Sequence, residues 1–114
     1  MGEREWLFKI DVKPLSINKA FQGRRYKTQE CKSYEYFLML SMPTGLKFEP
    51  PIKLAIKYGF SSKLADIDNP TKIVLDVMQK KYGFNDRDIV ELHLYKEIVG
   101  KNKEYIAVMN INRN

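Results

Sequence analysis

Cysteine is nearly absent from this 114-residue chain, and the one present, Cys31, excludes an intrachain disulfide and cannot build a thiolate metal site alone. Inside a predicted helix it reads as a small core residue. No apolar run approaches the roughly 18 residues that a membrane span needs, and Met1 to Glu5 is too polar to begin a secretory signal, so a cytoplasmic protein with no membrane partner is expected. Internal repeats and low-complexity tracts are missing too. With 44% hydrophobic and 30% charged residues, the chain has the make-up of one ordinary globular domain spanning 1–114. Nothing in it asks for an organic cofactor.

Acidic residues are also missing where they would be most felt. The net charge is +6, and between Asp11 and Glu30 there is no carboxylate, while Lys13, Lys19, Arg24, Arg25 and Lys27 stand beside Asn18, Phe21, Gln22 and Tyr26. A basic arm over about 14–28 that grips backbone phosphates fits this asymmetry; a solvated basic loop is the plainer alternative.

Hydrophobic periodicity supplies the elements. Trp6, Phe8, Ile10 and Val12 alternate with Leu7, Lys9, Asp11 and Lys13, which predicts a strand from Glu5 to Lys13, ended by Pro14. Thr28 can cap a helix carrying Cys31, Tyr34, Phe37, Leu38 and Ser41 on one side, stopped by Pro43 and Gly45. A second strand runs from Ile52 to Phe60. A second helix has clear punctuation, with Asn69 as N-cap, Pro70 first and Gly83 just past Tyr82. Ile73, Val74, Val77 and the Lys81 stem form its apolar stripe, widened by Leu75, Met78 and Tyr82, with Lys72, Asp76, Gln79 and Lys80 on the wet side. Val90, Leu92, Leu94 and Ile98 then alternate with Glu91, His93, Tyr95 and Glu97, and a turn at Gly100 to Lys103 predicts a hairpin into a strand over Tyr105 to Ile111. The order β-α-β-α-β-β predicts an α+β fold: a mixed sheet of about four strands with two helices packed on it.

The chemistry concentrates in one place. Of six Asp, five (Asp66, Asp68, Asp76, Asp86 and Asp88) fall within 23 residues, whereas eight Glu are scattered. Asp66 and Asp68 lie two apart, so in an extended segment both point the same way while Ile67 faces the core, and the dipole of the helix that follows favours ionised carboxylates. Hard oxygen ligands of this kind suit Mg²⁺ or Mn²⁺, which keep waters and leave room for a substrate phosphate. Lys72 in the first turn runs against the dipole but can reach the same site, where an ammonium would stabilise transition-state charge. Each piece has a plainer reading: Asp-x-Asp-Asn as capping, Lys72 and Asp76 as an (i, i+4) pair, Asp86 as a turn residue, Asp88 as a strand start and His93 as an edge histidine.

Together, Asp66-x-Asp68-Asn69-x-x-Lys72-x-x-x-Asp76, then Gly83 and Asn85-Asp86-x-x-Ile89, resemble the RusA-type Holliday junction resolvases. Pro14-x-Ser16-x-Asn18, followed by a basic arm and a helix, extends the likeness over about residues 5–110. The resemblance implies a Mg²⁺-dependent, homodimeric endonuclease of phage or prophage origin that cuts four-way DNA junctions symmetrically in recombination and repair. It implies metal-binding carboxylates at Asp66, Asp68 and Asp86, the last aligned in preference to Asp88, and a catalytic lysine at Lys72. Asn18, Lys19, Arg24, Arg25, Lys27 and Asn69 are the expected DNA contacts, Phe21 or Tyr26 could meet unstacked bases, and Mn²⁺ is expected to substitute for Mg²⁺. A metal-dependent nuclease with another branched or single-stranded target, or a binding module without activity, would carry much of the same sequence.

Chain length limits where Asp86 can go. A helix from Pro70 to Tyr82 is about 20 Å long, and the three residues from Gly83 to Asp86 span at most about 10 Å. Asp86 is therefore expected to complete the partner subunit's site in an intertwined homodimer. If the arm grips phosphates, changing Arg24 and Arg25 together to alanine weakens DNA binding and lowers the slope of log affinity against log salt by about 2; a salt titration of junction binding checks this.

Overall fold

Ile52, Leu54, Ile56, Tyr58 and Phe60 alternate with Lys53, Ala55, Lys57 and Gly59 to form the central strand β2 (Ile52–Phe60), whose apolar side lies within the core. The computed structural model describes residues 6–15 and 27–111. In chain order the elements are β1 (Phe8–Ile10), α1 (Gln29–Ser41), β2, α2 (Thr71–Tyr82), a 3₁₀ turn (Asp86–Asp88), β3 (Ile89–Ile98) and β4 (Tyr105–Asn110). This is the predicted α+β order. β1 is shorter than the Glu5–Lys13 alternation predicts, its pairing with β4 running only from Phe8 to Ile10 among the described residues.

The four strands form one mixed sheet in the order β1-β4-β2-β3. The predicted hairpin of the last two strands does not form. The turn exists, with Lys103 N–H on the Gly100 carbonyl at 3.0 Å and Asn102 at φ +69°, but it joins strands on opposite sides of β2. α2 carries the chain from β2 to β3 as a parallel crossover, so β3 occupies one edge of β2 and β4 pairs antiparallel with the other. Alternation reveals a strand's faces and not its neighbours.

Registered rows cross the sheet: Phe8, Val108, Ile56 and Leu94 in one, Ile10, Ile106, Tyr58 and Lys96 in the next. Cys31, Tyr34 and Leu38 from α1 and Ile73, Val74, Val77 and Met78 from α2 join these residues in a single core cluster, so both helices cover the same sheet face. Thr28 caps α1 as expected, its hydroxyl accepting from Cys31 N–H at 3.1 Å. Phe37 and Ser41, predicted on the buried side of α1, stay exposed, whereas Phe48 from the following loop enters the core and meets Tyr82 and Phe84. The buried face predicted for β3 is also largely open: Val90 is 62%, Leu92 37% and Ile98 44% exposed. An edge strand has a neighbour on one side only.

The opposite face of the sheet explains a glycine. Glu97, Gly59 and Tyr105 stand in one row, and the Tyr105 hydroxyl donates to Glu97 across β2. The ring can lie there only because Gly59 has no side chain: a Cβ would come within 2.5 Å of it. Lys9 sits over the other side of the ring, 4.5 Å from its centre. Gly59→Ala should therefore cost about 1–3 kcal/mol through overpacking. In a Tyr105→Ala background the same change should cost much less, and a double-mutant cycle by denaturant unfolding measures the difference.

Candidate active site

The site begins where β2 hands the chain to α2. Residues 61–65 are tied down by Lys96 of β3, whose ammonium donates to the carbonyls of Ala65 at 2.6 Å and Lys63 at 3.3 Å, while Ser61 bonds Glu104 at 2.7 Å. The start of α2 is fixed from below. The Thr71 and Tyr58 hydroxyls share a buried hydrogen bond of 2.7 Å that locks the first helical residue to the middle strand; burial pushes the Tyr58 phenol upward in pKa, so it stays protonated.

Between these anchors, Asp66 and Asp68 are exposed and Ile67 is half-buried. The segment bends rather than extends. Asn69 is not the N-cap that its position suggests. Pro70 occupies the cap with no side-chain hydrogen bond, because the Asp68 carbonyl receives the Thr71 N–H at 3.1 Å in a tight turn. The Asn69 amide instead donates to Asp66 Oδ2 at 3.2 Å, holding that carboxylate in place. Beside them a concavity of about 280 Å³ is bordered by Lys13, Pro14, Phe60, Leu64, Asp66 and Asn69, with Leu64 91% exposed at its rim.

Lys72 points along α2. Its ammonium lies 3.5 Å from Asp76 Oδ1 and 3.9 Å from Asp86 Oδ2. The (i, i+4) pair is thus present, with a second acid added. Gly83 ends α2 in the left-handed region at φ +77°, its N–H on the Gln79 carbonyl, and the chain folds back so that Asp86 N–H donates to Gln79 Oε1 at 2.8 Å. Asn85 caps the 3₁₀ turn by accepting from Arg87 N–H at 3.0 Å. Asp86's backbone is held at the level of Gln79, and the Lys72 side chain covers the rest of the distance towards the start of α2. Among the described residues, no three His, Cys, Asp or Glu side chains of the single chain gather as a metal-holding group.

Other predicted residues fall elsewhere. Lys27 is held by Glu35 at 2.7 Å, a bond that raises the lysine pKa despite partial burial. His93 is an exposed residue of edge strand β3, bonded to Glu91 at 2.7 Å; this bond, more than the lysine Lys53 at 3.9 Å, holds the Glu91 carboxyl below its usual range. Asp88 is half-buried in the 3₁₀ turn. Asn18, Lys19, Arg24 and Arg25, with Phe21, Gln22 and Tyr26, lie outside the described residues. Sequence reading overlooked Thr71, Lys96 and Gln79. Their partners Tyr58, Ala65 and Asp86 lie 7 to 31 residues away, and periodicity carries no signal for such pairs.

No described helix is long and apolar enough to cross a membrane. No curated protein matches the chain. The family model for endodeoxyribonuclease RusA matches residues 13–109. That span contains the bent Asp66–Asp68 segment, Lys72 and Asp86, and by this match the chain belongs to the RusA endodeoxyribonuclease family.

Proposed function

We propose that the protein is a homodimeric, Mg²⁺-dependent endonuclease that resolves four-way DNA junctions by paired symmetric nicks. The observation that carries the reading is the family match over residues 13–109 together with an acidic pair, Asp66 and Asp68, exposed at the foot of α2 with Lys72 one turn on. The donor set fits a hard divalent ion: two carboxylates are within what Mg²⁺ takes from a protein, the remaining positions going to water and a substrate phosphate. When bound, the ion would activate a water and stabilise the leaving oxygen. Asp66 and Asp68 would hold it, with the Asn69 amide orienting Asp66. Lys72 would bring positive charge to the phosphate once released from Asp76 and Asp86. Asp86 would supply a further carboxylate to the site of the partner subunit.

The dimer has a surface suited to it. β3 is an open edge of ten residues carrying exposed Val90, Leu92, Tyr95 and Ile98, and such an edge either pairs or must be guarded. A second copy related by a twofold axis is the occupant that suits a substrate with two equivalent strands. β3 also starts directly after the turn that holds Asp86, so dimerisation through it would carry Asp86 to the subunit boundary. The arm residues Lys19, Arg24 and Arg25 would hold phosphates on either side of the crossover.

Incubation with a synthetic four-way junction tests the reading. Paired symmetric nicks should appear with Mg²⁺ and vanish with a chelator, and Mn²⁺ should restore them. Asp68→Asn should keep junction binding while cleavage falls by roughly 100-fold or more. Equal cutting of plain duplex or single strands would favour another nuclease, and binding without any cutting a non-catalytic module. Mixed dimers of Asp68→Asn with Asp86→Asn chains test the shared site. If Asp86 serves the partner, one site of the mixed dimer is intact and single nicks return; if it serves its own chain, both sites stay dead.

A further inference from the structure

We infer that Gln79 is a positioning residue for Asp86, clamping the acidic turn to the body of α2. The inference rests on the nuclease reading and adds a residue to it. Gln79 sits on the half-buried flank of α2 and uses both ends of its amide. Nε2 donates to the Leu75 carbonyl at 3.3 Å, one turn back in its own helix, and Oε1 accepts the Asp86 N–H at 2.8 Å. The first bond fixes the amide's orientation, so the second presents an acceptor of defined direction to the acidic turn. The Gln79 main-chain carbonyl meanwhile receives the Gly83 N–H at 2.8 Å. One residue therefore holds both the helix end and the aspartate three residues beyond it.

Asp86 needs such a tether. It is exposed, it follows a glycine in the left-handed conformation, and the 3₁₀ turn that carries it buries none of its own residues. Within the turn, Asn85 accepts from Arg87 N–H and its carbonyl from Asp88 N–H; these bonds shape the turn but do not attach it to the helix. Phe84 on Phe48 and Ile89 against the core hold the turn's two ends, and Asp86 itself is attached to α2 by the Gln79 bond and by the Lys72 ammonium at 3.9 Å. Lys72 is half in solvent and shared with Asp76, and in the proposed chemistry it leaves Asp86 to meet the phosphate. Gln79 is then the contact that stays. A carboxylate serving a metal must be held within a fraction of an ångström, and residues that hold ligands in this way are worth about 10 to 100-fold in metal affinity or rate.

The test uses the full chain. Gln79→Met keeps the length and helix preference of the side chain and removes the acceptor; Gln79→Glu keeps an acceptor at the same reach. Junction affinity and melting temperature should be unchanged in both. In Gln79→Met the Asp86 amide should exchange faster with solvent by NMR, the Mg²⁺ concentration for half-maximal cleavage should rise, and the cleavage rate should fall about tenfold. Gln79→Glu, which keeps the acceptor but loses the donor to Leu75, should recover the amide protection and only part of the rate. A Gln79→Met chain that cuts like wild type at the same Mg²⁺, or whose Asp86 amide is no less protected, overturns the proposal while leaving the nuclease reading intact. So does a Gln79→Glu chain whose Asp86 amide exchanges as fast as in Gln79→Met. A wild-type chain that cuts no junction overturns the nuclease reading, and this one with it.

Discussion

The hydrogen bond between the Tyr58 and Thr71 hydroxyls is the joint from which the functional half of the molecule hangs. Such a bond contributes only about 1 kcal/mol net, but breaking it by removing one partner would strand a buried polar group at a cost of about 1–3 kcal/mol. Its position matters more than its strength. Tyr58 lies near the C-terminal end of β2, flanked by Ile106 of β4 and Lys96 of β3, and Thr71 is the first residue of α2. The pair fixes the height and rotation of the helix start relative to the sheet. Asp66 and Asp68 precede that start, and Lys72 and Asp76 follow it within two turns. The exposed charges inherit their precision from a bond they do not touch.

Lys72 shows how charge alone organises the rest. An ammonium in the first turn of a helix faces the positive end of the dipole, a placement that costs about 0.3–1 kcal/mol when exposed. Two carboxylates offset that cost, one from its own helix and one from the turn beyond. At 59% exposure for the Lys72 side chain, neither contact is strong, and that weakness suits the change of partners proposed for it. A buried, tightly bonded lysine at the same place would be stable and inert. Lys27, by contrast, is held more closely by Glu35 at the start of α1, where it also feels the Asp76 carboxylate.

Much of this was legible in the residues. Thr28 as a cap, Gly83 as a helix end, the two faces of β2 and the Lys72–Asp76 pair all follow from rules that act within one turn or one strand. What escaped reading was always a matter of neighbours. The Gly100–Lys103 turn was identifiable, yet β2 stands between the strands it joins, because the parallel crossover through α2 had already filled one side of β2. Asn69 has the chemistry of a cap, but the turn closed by the Asp68 carbonyl moves the cap to Pro70 and frees the amide for Asp66. Asp86 sits at the end of a short tether, and the length of the Lys72 side chain brings an ammonium down the helix to meet it, a contact that spacing along the chain does not reveal.

The openness of β3 and the placement of Asp86 belong together. β3 is the longest strand in the sheet and the least buried, with Val90 62% exposed at its start. Natural edge strands of this length are usually guarded by inward-pointing charge, proline or a bulge. Here neighbouring Ile52 and Lys53 pair with Ile89 and Glu91, so Val90 is an extra residue that bulges at the start of β3, while Glu91, His93 and Glu97 point to the same face as Lys53 and Lys57 and are paired there. Among the described pairings the guard is this bulge beside the Asp86 turn, and the regular strand beyond it leaves Leu92, Tyr95 and Ile98 exposed. Under the proposed dimer, the exposed strand beyond the bulge is the surface that a second copy would cover, bringing its subunit up to the acidic turn. The same ten residues that make the monomer's sheet incomplete set the acidic turn at its open margin.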